Sequence, residues 1–141
     1  MISTNYDVFV GCKSLGETVE FGGLTVVTND GYDTIYPDIV VSRSGGTSAR
    51  LLQILNHSMG TELNFDYYLA DGETLRISLE PGRYNIVSNL FGSRLDALLP
   101  GYGIEGFGLR VGVNNIITYV HQVGAPTVEV WMEWREKYDG A

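Results

Sequence analysis

A chain of 141 residues, 44% of them apolar, has the length of one ordinary domain and enough hydrophobic content to bury a core. Its 17 acidic residues outweigh 9 basic ones for a net charge of -8. Such a surface repels phosphate backbones, and no basic stripe offsets it, so nucleic acid is not an expected partner. No apolar run approaches the ~18 residues of a membrane helix, and no membrane insertion is expected.

The one cysteine, Cys12, cannot form an intramolecular disulfide or a metal cage, and reads as a small, partly buried thiol. Met1 to Cys12 lack a positive cluster followed by a long apolar stretch, so no secretory signal is expected. The chain reads as made in a cytoplasm or cut from a longer one. Glycine stands out, with 18 residues scattered between short alternating apolar runs. That is the punctuation of an all-β domain.

In chain order, Val19-Glu20-Phe21, Gly22-Gly23 and Leu24-Thr25-Val26 predict a hairpin, in which a two-residue loop sets Phe21 against Leu24 and Val19 against Val26. Asn29-Asp30-Gly31 is a turn signal, and Ile39-Val40-Val41 a short strand before a turn at Ser44-Gly45-Gly46. The dense apolar run in Arg50 to Asn56 is read as a strand. Phe65, Tyr67 and Leu69 form one alternating stripe and Leu75, Ile77 and Leu79 another. A two-residue Asp71-Gly72 loop would put these stripes on opposite faces. Either the loop has an odd length, or the chain crosses from one sheet to the other at Asp71 to Glu73.

Pro81-Gly82 fits the centre of a type II turn. Ser93 to Leu99 predicts one helical turn, with Ser93 as N-cap, Leu95, Leu98 and Leu99 on one face, and Pro100-Gly101 as the stop. Strands follow at Gly106 to Val111, at Ile116 to His121 after an Asn114-Asn115 turn, and at Thr127 to Arg135. In the last strand Val128, Val130, Met132 and Trp134 line one face, and Glu129, Trp131, Glu133 and Arg135 the other. The expected fold is an all-β antiparallel sandwich, jelly-roll-like, with one short helix.

Chemistry is sparse. His57 and His121 lack metal-ligand spacing, and Ser42, Ser44, Ser48 and Ser58 lack a glycine-flanked nucleophile elbow. Asp66, Asp71, Glu73 and Glu80 are numerous enough to offer a glycosidase pair, but Asp71 and Glu73 fit a polar turn and Asp66 a solvent face. Asp30, Asp33, Asp71 and Glu73 do not make a regular calcium loop. No catalysis, cofactor or metal is expected. Trp131, flanked by Glu129 and Glu133 and pointing away from the apolar stripe, is a candidate for sugar stacking or for a protein contact. Tyr67 and Tyr68 point oppositely, so at most one joins such a platform.

The order of Tyr36-Pro37, Arg50-Leu51-Leu52-Gln53-Ile54 with Asn56 and Gly60, Leu69-Ala70-Asp71-Gly72-Glu73-Thr74-Leu75, Leu79-Glu80-Pro81-Gly82, Leu98-Leu99-Pro100-Gly101 and Trp134-Arg135 resembles the C-terminal domain of phage distal tail (baseplate hub) proteins. The resemblance spans roughly residues 32 to 138. It implies a galectin-like sandwich carried by a ring-forming N-terminal domain, with a structural role at the tip of a long non-contractile tail. The implied partners are other tail and baseplate proteins in a homo-oligomeric ring. The implied location is the virion, or a bacterial cytoplasm for a prophage product. Host-surface carbohydrate is the alternative ligand. Residues 1 to 31 match poorly and read as an N-terminal hairpin, either an elaboration or the end of a preceding domain.

Overall fold

The computed structural model describes residues 2–9, 18–99, 104 and 106–138. Among the described residues ten strands make two antiparallel sheets: β1 (Ile2–Phe9), β2 (Thr18–Asn29), β3 (Asp38–Ser44), β4 (Ser48–Asn56), β5 (Thr61–Leu69), β6 (Thr74–Ser78), β7 (Asn85–Ser88), β8 (Gly92–Ser93), β9 (Gly112–Val123) and β10 (Thr127–Tyr138). The six-stranded sheet runs β1-β10-β3-β6-β7-β8 and the four-stranded sheet β2-β9-β4-β5. Without β7 and β8, the chain alternates between sheets as two nested Greek keys, which is jelly-roll connectivity.

Alternation places the core. Ile39 and Val41 of β3, Leu75 and Ile77 of β6, and Val128, Val130 and Met132 of β10 are buried from one sheet. Leu51, Ile54, Leu63, Phe65, Leu69, Ile116 and Val120 meet them from the other. Each such side chain, fully buried, contributes roughly 1.5–3 kcal/mol. The run at Leu51, Leu52, Ile54 and Leu55 breaks strict alternation, and β4 absorbs the extra residue by shifting register between Leu51 and Gln53 against both neighbours. Leu51 and Ile54 thereby both face inward.

The chain crosses between sheets at Asp71 to Glu73, since β5 and β6 lie in different sheets. The stripes of β5 and β6 then face each other across the core, which the hairpin register forbade. The Pro81-Gly82 turn forms as its residues dictate, with Arg83 N–H donating to Glu80 O at 2.9 Å and Gly82 at φ 80°.

Four expectations fail. Gly22-Gly23 is not a turn, and β1 and β2, the described strands of residues 1 to 31, do not pair as a hairpin. β2 runs straight through both glycines, which pair with Tyr119 and Thr118 of β9, while β1 pairs with β10 in the other sheet. The long partner β9 offers β2 an unbroken ladder that a hairpin would have halved. Asn114-Asn115 likewise lies inside β9, because the Asn114 amide turns inward and itself binds the Arg110 and Gly112 backbone, supplying locally the bonds a turn would have used. Gly106 to Val111 is no strand; it contributes one bridge, Ile35 to Leu109, with reciprocal bonds of 3.1 and 2.8 Å.

The helical turn shrinks to a 3₁₀ turn at Leu95–Ala97 that begins after Arg94, with no side-chain cap from Ser93. Ala97 is its buried residue, whereas Leu95 and Leu99 are exposed. Its role is lateral: Leu98 bridges Phe65, and Leu99 N–H donates to Asn64 O at 2.8 Å, covering the outer edge of β5. Pro100, Gly101 and Cys12 lie outside the described residues.

Candidate functional site

Inward-facing polar residues tie the loops at both ends of the sandwich. At one end Arg43, 8% exposed, donates to the carbonyls of Leu69, Gly45 and Gly46. Beside it Glu73, fully buried, accepts from Tyr67 Oη at 2.5 Å, Ser88 Oγ at 2.6 Å and Ala70 N–H at 2.8 Å. Asp71 accepts from Gly45 N–H at 2.7 Å, and Gly72, at φ 81°, allows the tight return from Ala70 to Glu73. Glu73 is therefore no solvated turn residue: the sheet crossing pulls its side chain under the loop. The sequence signal was parity, because Glu73 shares its face with Leu75 and Ile77.

At the opposite end three buried asparagines do the same work. Asn29 donates to the carbonyls of Asp33 and Leu109, Asn56 to Gly108 O and Asn114 Oδ1, and Asn114 to the carbonyls of Val27, Arg110 and Gly112. Gly60, at φ 69°, closes the β4–β5 turn on Asn56 O. These clusters consume their polar groups on one another and on loop backbone, which is loop scaffolding.

The carboxylates that could offer a glycosidase pair do not converge. Asp66 pairs with Arg50 at 2.6 Å on the outer face of the four-stranded sheet, and its pKa is held down by that hydrogen bond. Asp71 and Glu73 are committed as described, and Glu80 is exposed at the Pro81-Gly82 turn. Asp30 and Asp33 sit at the Asn29 end of the sandwich, away from Asp71 and Glu73. Among the described residues no group of three or more His, Cys, Asp or Glu could hold a metal ion. His57 is exposed in a turn, and His121 lies half-buried on β9.

The outer face of the six-stranded sheet carries a different arrangement. Register places Trp131, Val40, Arg76 and Val87 side by side on β10, β3, β6 and β7. Trp131 is 37% exposed, and its indole N–H reaches Glu129 Oε2 at 3.4 Å. Arg76 bridges three strands, at 3.0 Å from Asp38 and 2.8 Å from Glu133. The Glu133 hydrogen bond leads in raising the pKa of Arg76, with Asp38 adding to it against partial desolvation. Glu129 and Glu133 thus flank the indole as alternation predicted, but Glu133 is engaged by Arg76, two strands away across β3, a partner that sequence spacing does not reveal.

No protein-family model, curated protein or solved structure matches this chain.

Proposed function

We propose that the chain is a non-catalytic assembly module of a phage or prophage tail, placed at the distal tail or baseplate, and that it docks on neighbouring tail proteins through the outer face of its six-stranded sheet. The observation that carries docking is the row of Trp131, Val40, Arg76 and Val87, an aromatic and a guanidinium set among aliphatic side chains and framed by Glu129, Asp38 and Glu133. Tryptophan and arginine are the residues that most often dominate protein–protein interfaces, and a polar rim around an apolar centre is their usual anatomy. The tail context rests on the ordered motifs from Tyr36-Pro37 to Trp134-Arg135. Asn56, Gly60, Asp71, Gly72, Glu73, Pro81 and Gly82 in those motifs hold turns and loops in shape, which suits a structural part. In a longer chain the module would join a homo-oligomeric ring.

The test is gold-labelled antibody on tail particles from the phage or prophage that encodes the chain. Label at the distal tip is expected; intact tails without label would overturn the tail reading.

A second reading, a carbohydrate-binding module for host attachment, is favoured by one feature: the half-open Trp131 ring lies beside the Glu129 carboxylate, as stacking with adjacent hydrogen-bond acceptors requires. A glycan array with wild type and Trp131→Ala separates the two. Specific glycan binding lost in the variant, with its melting temperature unchanged, would replace protein docking by sugar binding.

A further inference from the structure

The two flanks of the sandwich are finished differently. On one, β5 is covered by Leu98 and Leu99, and the other sheet tapers through the four residues of β7 to the two of β8. Short or covered edges are how sheets avoid pairing with other chains. On the other flank, β2 is 12 residues long and, among the described residues, pairs with β9 alone. Its sequence, TVEFGGLTVVTN, holds one charge, Glu20, and neither proline nor lysine. Its register with β9 runs without a shift from Thr18 to Asn29, so no bulge blunts it.

Gly22-Gly23 sharpens the contrast. Paired glycines inside a strand weaken it, and they mark a bulge, a tight bend or a place where another backbone comes close. The unbroken register excludes the bulge, and the continuous strand excludes the turn. Of the uses that remain, close approach of a ligand or of another backbone, the second suits an edge strand.

We infer that the free edge of β2 pairs antiparallel with β2 of a second copy of this chain, joining two four-stranded sheets into one continuous sheet. A two-fold axis through Gly23, perpendicular to the sheet, keeps both cores on the same side and pairs Thr18 with Thr28. It also sets Glu20 of each copy against Val26 of the other. The only charge on the strand thus avoids its twin, although the chain as a whole carries -8. This interface is separate from the Trp131 face and stands or falls without it.

Sedimentation velocity across a range of concentrations, with hydrogen exchange on the β2 amides, tests the pairing. Val26 is 58% exposed, so changes there spare the monomer fold. Wild type should form a dimer whose β2 amides gain protection as concentration rises. Val26→Glu sets like charges opposite each other twice by symmetry and should weaken the dimer about tenfold, whereas Val26→Lys should hold or tighten it. Adding Glu20→Lys to Val26→Glu should restore it. A monomer at every concentration, a dimer indifferent to both Val26 variants, or a β2 edge protected only by a different protein would each overturn the inference.

Discussion

The Tyr67 hydroxyl donates to Glu73 Oε2 across 2.5 Å, tying β5 in one sheet to the residue that leads the chain into β6 of the other. Burial pushes the phenol up to about 12 from 10.0, the Glu73 carboxylate adds to the shift, and the Arg94 guanidinium opposes it. Folding therefore favours the protonated phenol. That contribution is complete below pH ~10 and is lost as pH rises towards ~12, where the unfolded chain has already released the proton. Melting temperatures across this window should fall more steeply for wild type than for Tyr67→Phe, and parallel curves would show that the tie has no energetic consequence.

Glu73 should matter far more than its neighbour Asp71. Glu73→Leu removes the acceptor of the buried Ser88 hydroxyl and of the half-buried Tyr67 hydroxyl and Ala70 N–H, and an unmet buried polar group costs about 1–3 kcal/mol, less where water reaches it. A loss of about 2 kcal/mol or more is expected in urea unfolding. Asp71→Ala removes one exposed bond to Gly45 and should cost about 1 kcal/mol or less.

The same contrast explains what the sequence disclosed. Apolar alternation was legible in β5, β6 and β10, short apolar runs marked β3 and β4, and the conflict of stripes across Asp71 to Glu73 left an odd-length loop or a sheet crossing, of which the structure has the crossing. The buried polar residues were less visible, because they sit where an apolar stripe runs on into a loop. Arg43 continues Val41, Asn29 continues Val27, Asn56 continues Ile54, and Glu73 and Asn114 precede Leu75 and Ile116 on the same face. Local turn chemistry, which placed Asn114 and Glu73 in polar turns, was overruled by the backbone and side-chain groups their side chains bind. Gly22-Gly23 misled for a related reason: a dipeptide that favours a hairpin in isolation gave way to a partner strand of matching length. On the Trp131 face, alternation gave the direction of Glu129 and Glu133, but the bridge from Glu133 to Arg76 depends on sheet order, which no local pattern encodes.

Two adjacent glycines in the β3–β4 turn give an internally controlled measurement. Gly45 and Gly46 both have positive φ, 72° and 69°, which disfavours any side chain by about 1–2 kcal/mol. A Cβ on Gly45 meets open space, whereas one on Gly46 falls 2.5 Å from the Pro126 nitrogen, part of the backbone joining β9 to β10. Gly45→Ala should cost only the conformational term. Gly46→Ala should cost clearly more, since two backbone segments must part, and equal losses in thermal unfolding would contradict this packing.

Trp131 divides stability from recognition. Its indole is more than a third exposed and lies over a face where Val40, from the neighbouring strand, is its cross-strand partner. Such a pair contributes about 0.2–1 kcal/mol, so Trp131→Ala should leave the domain folded with a small drop in melting temperature. The nearby ion pairs of Arg76 are solvent-exposed and are worth no more than about 1 kcal/mol, so Arg76→Met should be equally mild. In a docked assembly the same two side chains lose their water, and truncating an aromatic or guanidinium anchor there costs about 2 kcal/mol or more. Both variants should therefore fold and yet fail to join purified tail or baseplate components that retain wild type. Variants that bind as wild type does would remove this face from the assembly, and variants that unfold would make Trp131 a core residue in all but exposure.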